Sequence, residues 1–168
     1  MIFSKSFASI LLFTFTLIMH TKIKAQNKYT IEVNLNASSS QVWDTITDFT
    51  SYQKWNTVLI MKNNEDLEVG KKFNVTIINE NGKSSKFKAL TMNKIPYKEF
   101  SARQKILGKW FFSATHYFKV IALTDSQCTF IQTWEFTGLL FKPMRKTIFN
   151  QLKRFDQMNR DLKVHLEG

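Results

Sequence analysis

Between Tyr29 and Phe136 the chain reads as seven runs of alternating apolar and polar residues, and from Val58 onward no gap between runs is long enough for a crossover helix. The runs are Tyr29–Leu35, Val58–Met61, Lys71–Ile78, Ser84–Met92, Glu99–Leu107, Trp110–Leu123 and Gln127–Phe136. The breaks carry turn chemistry: Gly70, Asn81-Gly82, Pro96, Gly108-Lys109 and Asp125-Ser126. Strands joined by such short turns pair antiparallel, so the pattern predicts one antiparallel sheet of about seven strands.

Two helical patterns flank this series. In "ASSSQVWDTITDF", Ser38 and Gln41 have capping-box spacing and Val42, Trp43 and Ile46 recur at helical intervals, which predicts a short helix over Ser39–Asp48. After the sheet, Phe141, Met144, Ile148, Leu152, Phe155, Met158, Leu162 and Leu166 step by three and four. That spacing predicts one long amphipathic helix opened by Pro143, and the sheet is the apolar surface it must cover. Between the first helix and the second strand lies "DFTSYQKWNT", where Phe49, Tyr52 and Trp55 put three rings into a segment without clear period.

The N-terminus "MIFSKSFASILLFTFTLIMHTKIKAQ" has an early cation, an uncharged run from Ser6 to Thr21 and a small residue at Ala25. This order predicts an export signal over residues 1–25 and a periplasmic or extracellular product; an N-terminal membrane anchor is the alternative. Residues 26–168 then form a single domain, large enough to bury roughly two-thirds of its unfolded surface. Loss of Lys5, Lys22 and Lys24 with the signal takes the formal charge from +11 to about +8, so the protein stays basic.

Several chemistries lack their residues. Cys128 is the single cysteine, so no intramolecular disulfide forms, and no Cys/His pair has zinc spacing. Five glycines leave no Gly-rich phosphate loop and no nucleophile elbow. Neither a metal nor a cofactor is expected. Rings that alternate inward give no stacking platform, which argues against nucleic acid.

Strand parity sorts the sheet into two faces. One collects Phe73, Val75, Ile77, Phe87, Ala89, Phe100, Ala102, Gln104, Ile106 and Phe112, continuing with Ala114, His116, Phe118, Val120, Cys128, Phe130, Gln132, Trp134 and Phe136. The other collects Lys86, Lys88, Ser101, Arg103, Lys105, Ser113, Thr115, Tyr117 and Lys119 and reads as a cationic convex side. His116, Gln104 and Gln132 are the polar exceptions on the apolar face and need hydrogen-bond partners, either one another or a ligand.

The element order, with Val42-Trp43, Asp48-Phe49, Tyr52, Trp55-Asn56, Gly70, the Pro96 turn, Glu135-Phe136 with Gly138, Met158-Asn159 and Leu162-Lys163, resembles the SRPBCC superfamily over nearly all of residues 26–168. That superfamily includes START-related lipid-binding domains, polyketide cyclases and dehydratases, and Bet v 1-like proteins. Ala37-Ser38 stands where the resemblance expects Ala-Pro, and Thr57 where it expects proline after Trp-Asn.

The resemblance implies an α+β helix-grip fold: a curved antiparallel sheet, two short N-terminal helices, and one long C-terminal helix gripped over a cavity. It implies binding or carriage of a hydrophobic or amphipathic small molecule or lipid. The expected lining is Trp55, Phe73, Phe87, Phe100, Phe112, His116, Trp134, Ile148, Leu152 and Phe155, with Phe49, Tyr52 and Trp55 closing one end.

Two alternatives stand beside carriage. One is a cyclase- or dehydratase-like enzyme with His116 as catalytic group, which needs an acid or base such as Glu135, Tyr117 or Arg103 turned inward. The other is a cavity-free module that binds an acidic partner. The basic balance adds attraction to an anionic membrane surface as a further expectation, and a monomer is expected.

Overall fold

The structure, a computed structural model, describes residues 27–61 and 67–168. The expected export signal, residues 1–25, lies outside the described residues. Within them the elements run β1 (Lys28–Leu35), α1 (Ser39–Thr47), α2 (Tyr52–Trp55), β2 (Leu59–Met61), β3 (Lys72–Ile78), β4 (Ser84–Ile95), β5 (Glu99–Ile106), β6 (Phe112–Thr124), β7 (Gln127–Thr137), α3 (Phe141–Leu152) and α4 (Phe155–Glu167).

The described strands form one antiparallel sheet in the order β1-β7-β6-β5-β4-β3-β2. The first strand pairs with the last, with Ile31 opposite Gln132 and Leu35 opposite Cys128. Helices α1 and α2 carry the chain from that edge to the other, where β2 pairs β3. Register irregularities between Thr91 and Asn93 and between Ala122 and Thr124 are bulges of the kind that bend a strand. This is the expected helix-grip architecture.

Helix α1 forms where its cap predicts. Ser38 Oγ accepts from the Gln41 backbone N–H at 3.2 Å, and the Ser38 N–H donates to Gln41 Oε1 at 2.9 Å. Its buried side is Val42, Trp43 and Ile46. Asp48 stops it: Oδ1 accepts from the Thr50 N–H at 3.0 Å and the Thr50 hydroxyl at 2.5 Å, turning the chain into α2. The Tyr52 hydroxyl donates to the Ile46 carbonyl at 2.7 Å and locks α2 beneath α1.

The C-terminal helix corrects the expectation in one detail. Helical backbone starts at Phe141, with Pro143 inside the first turn. At Lys153-Arg154 the bonding tightens: the N–H groups of Arg154, Asp156 and Gln157 donate three residues back. Both residues keep right-handed helical dihedrals, so the chain does not reverse. A tightened turn brings residues three apart into line, which leaves Leu152 and Phe155 on the same buried side.

Helix α4 is tied down along its C-terminal half. Lys163 Nζ donates to the Asn34 carbonyl and the Asn36 N–H to Glu167 Oε1, each at 2.8 Å. The Thr57 N–H and hydroxyl donate to Asp161 Oδ2 at 2.9 and 2.6 Å. Proline at 57 would lack that N–H, which accounts for one departure from the resemblance.

Alternation gives the concave face correctly: Phe100 lies opposite Phe118, His116 opposite Trp134 and Val120 opposite Phe130. The convex face is less open than expected. Ser101, Ser113 and Thr115 are buried there because longer neighbours cover them. Arg103 Nε donates to Thr115 Oγ1 at 3.1 Å, and Tyr117 and Lys28 converge on Glu135.

Candidate functional site: an apolar cavity with one imidazole

A cavity of about 200 Å³ lies between the concave face and the C-terminal helices. Its origin is a deficit of side-chain volume. Ala89 on β4, Ala102 on β5 and Ala114 on β6 face inward where neighbouring positions carry rings, and all three border the space. Ala102 stands directly opposite His116, and Ala89 opposite Phe73.

Phe73, Phe87, Phe100, Phe112, His116, Trp134, Ile148, Leu152 and Phe155 border the cavity. Trp55 does not. It is buried beneath the end of α4, with its ring 5.0 Å from Tyr52 and stacked on His165 at 6.2 Å. Phe49 and Tyr52 do close one end of the cavity, Phe49 packing on Phe73 at 5.5 Å. The three rings of "DFTSYQKWNT" therefore divide between cavity wall and core.

The sequence reading missed Leu59, Met61 and Gln151. Gln151 is exposed and borders the cavity, so it stands at the mouth. It follows Ile148 by three and precedes Leu152 by one, and that spacing is the signal that could have placed it on the flank of the lining face.

The imidazole of His116 is flanked by three rings and borders the cavity. Trp134 stacks on it at 3.9 Å, Phe118 lies at 3.8 Å, and Phe155 meets it edge-on at 5.5 Å. Nε2 is 3.1 Å from Gln132 Oε1, and Gln132 Nε2 donates to Asn159 Oδ1 at 2.7 Å. Because the Gln132 oxygen is the acceptor in this chain, Nε2 of His116 carries the proton and Nδ1 keeps its lone pair.

Burial holds the His116 pKa well below its ordinary value, while the Gln132 hydrogen bond opposes that shift. The ring is therefore neutral at pH 7. The expectation that the polar exceptions satisfy one another holds for His116 and Gln132, with Asn159 of α4 as the third member. Gln104 stands apart on the cavity wall.

None of the expected acid-base partners of His116 reaches the cavity among the described residues. Glu135 is engaged by Lys28 and Tyr117 on the convex side, Arg103 by Thr115, and Asp48 by Thr50. Among the described residues the lining contains no Asp, Glu, Lys or Arg, and its polar members are Gln104, His116 and Gln151 beside the already bonded Tyr52 hydroxyl.

No family model matches the sequence, and no curated protein matches it. The fold does match solved structures. A START superfamily protein from Mycobacterium smegmatis superposes with a TM-score of 0.62 at 15% identity, covering 83% of this chain and 97% of that one. The ZhuI aromatase/cyclase from Streptomyces sp. R1128 gives 0.64 at 13%, covering 83% and 93%. A point mutant of norcoclaurine synthase from Thalictrum flavum, in complex with a transition-state analogue, gives 0.63 at 12%, covering 83% and 92%. The protein has the helix-grip fold of these structures.

Proposed function

We propose that the protein binds and carries a small, neutral, hydrophobic molecule between sheet and C-terminal helices. The observation that carries this reading is the cavity itself: about 200 Å³, walled by rings and aliphatic groups, with no charged side chain among the described residues of its lining. An apolar cavity of about 150 Å³ holds benzene, so this one suits a single ring with a short substituent. A charged ligand would be desolvated there without a counter-charge. The proposed lining is Phe73, Phe87, Phe100, Phe112, His116, Trp134, Ile148, Leu152 and Phe155. A neutral His116 with a free lone pair at Nδ1 suits a ligand that offers one hydroxyl or N–H donor.

Carriage fits the site better than cyclase or dehydratase chemistry, because no acid or base stands beside His116 among the described residues of the cavity lining. The proposal includes residues 1–25 as an export signal; N-terminal sequencing of the exported fraction should find a start at Gln26.

The test is mass spectrometry of an organic extract from protein purified without detergent, beside Trp134→Arg, which places a cation in the cavity wall. A stoichiometric neutral compound in the native sample alone supports carriage. A native extract identical to that of Trp134→Arg overturns it. Chemical conversion of the bound compound that stops in His116→Phe would replace carriage with catalysis.

A further inference from the structure

We infer that one end of the molecule, built from the β5–β6 turn and the β7–α3 turn, docks on the interface of an anionic lipid bilayer. The first observation is apolar exposure that packing does not explain. Leu107 is 74% exposed, Trp110 67% and Leu139 72%, and all three sit on these two turns. By contrast Trp43, Trp55 and Trp134 are each buried to 6% or less.

The two turns are bonded into one surface. The Leu139 N–H donates to the Trp110 carbonyl and the Leu140 N–H to the Phe111 carbonyl, each at 3.0 Å. Gly138 makes that approach feasible: a Cβ there would lie 2.5 Å from the Phe111 oxygen. Directly behind the tips, Phe112, Leu140 and Phe141 belong to the packed core, so the exposed side chains are held out on an anchored base. Leu107 also adopts a left-handed backbone, φ 50°, ahead of Gly108. A leucine rarely takes that conformation, and here it stands at the tip of a turn.

The second observation is charge. Lys105, Lys109, Lys142, Arg145 and Lys146 are exposed on or beside the same turns, and no Asp or Glu occurs from Gln104 to Ser113 or from Thr137 to Asn150. An indole and two leucines at turn tips, with cations around them and no acid, match the layered chemistry of a bilayer surface. Tryptophan favours the headgroup level, leucine the acyl boundary, and lysine and arginine the anionic phosphates. Two aliphatic tips offer nothing to stack on a base, which disfavours nucleic acid. This surface is separate from the cavity, so it stands whether or not the cavity reading holds.

The experiment uses the full chain with sucrose-loaded vesicles of phosphatidylcholine alone and of phosphatidylcholine with phosphatidylglycerol at 3:1. Because the apolar N-terminal segment could itself bind vesicles, the decisive readout is Trp110: its emission should shift to the blue and be quenched by brominated lipid, a signal absent in Trp110→Phe. Leu107→Ser/Leu139→Ser should weaken partitioning by about tenfold or more through lost apolar burial. Replacing Lys109, Lys142 and Arg145 together by Gln should weaken partitioning on the mixed vesicles by on the order of 100-fold, at roughly fivefold per cation. Circular dichroism verifies that each variant stays folded. Vesicle binding without quenching of Trp110, or partitioning unchanged in both sets of variants, overturns the inference. Equal binding to both lipids overturns its anionic part, and a concentration-dependent Trp110 shift without vesicles assigns the surface to a second copy of the chain instead.

Discussion

The sharpest consequence of a neutral His116 is a stability that falls with acidity well before the carboxylates titrate. In the folded protein, burial among Trp134, Phe118 and Phe155 holds the imidazole well below its ordinary pKa, opposed by the Gln132 hydrogen bond. In the unfolded chain it titrates near the usual value of about 6.5. Below that pH the unfolded state takes up a proton that the folded state refuses, so stability must rise with pH and drop as pH falls. The slope approaches about 1.4 kcal/mol per pH unit and continues until the folded pKa is reached. Between pH 6.5 and 5.0 this amounts to at most about 2 kcal/mol, a large part of a domain stability of roughly 5–15 kcal/mol. Asp48 and Glu167, held below their ordinary values chiefly by hydrogen bonds from Thr50 and Lys163, act with the same sign but at lower pH, where carboxylates protonate. Urea unfolding followed by tryptophan emission, from pH 7.5 to 5.0 at fixed ionic strength, should give a steeper decline for the wild type than for His116→Phe, the difference approaching one proton. The substitution shifts the whole curve through the unpaired Gln132, but that offset does not depend on pH. Parallel curves, or an NMR titration of His116 with a midpoint near 6.5, would refute the reasoning.

Gln132→Leu leaves the His116 Nε2–H and the Asn159 oxygen without their bonds in a site where Gln132 is fully buried, and should cost about 2–5 kcal/mol in urea unfolding. Adding His116→Phe removes one orphan and should recover part of that loss. Gly138→Ala combines φ 106° with a 2.5 Å clash on the Phe111 backbone and should cost about 2–4 kcal/mol. Gly82→Ala, at φ 75° with nothing within 4 Å, should cost only about 1 kcal/mol in the same urea unfolding. Ala102→Leu fills the cavity opposite His116; extracts of this variant should contain no ligand, while its unfolding free energy should stay within about 1.5 kcal/mol of the wild type.

The architecture was legible because each level of the sequence agrees with the next. Period-two runs, "ENGK" in the β3–β4 turn and the Ser38–Gln41 box all sit where the backbone uses them. The lining was legible for the same reason, since parity alone places Phe73, Phe100, Phe112, His116 and Trp134 on one face. What parity could not give was depth. It did not show that Ser101 and Thr115 disappear beneath Arg103 and its neighbours, because cover depends on side chains from adjacent strands. Nor could it place Trp55, which ends the four-residue helix α2 in a segment without period and whose partner, His165, is far along the chain in α4. The tightening at Lys153-Arg154 was also hidden, since neither residue is a helix breaker and the apolar spacing runs through it unbroken.

Asn159 was the least predictable of the polar residues around His116, and it gives that group its meaning. It comes from α4, Gln132 from β7 and His116 from β6, so a single chain of hydrogen bonds joins sheet to gripping helix across an otherwise apolar core. Well-packed apolar residues of similar volume there would be at least as stable, because buried polar groups at best recover their own desolvation. Stability alone therefore does not explain these three side chains. What they do supply is geometric: the imidazole is fixed in one orientation and one tautomer, beside a space that the alanines keep open. A cavity wall needs that definition only if it must receive a polar atom at a fixed point. The same residues that make the core less simple than a Leu–Phe core thus support the proposed binding of a ligand with one polar atom.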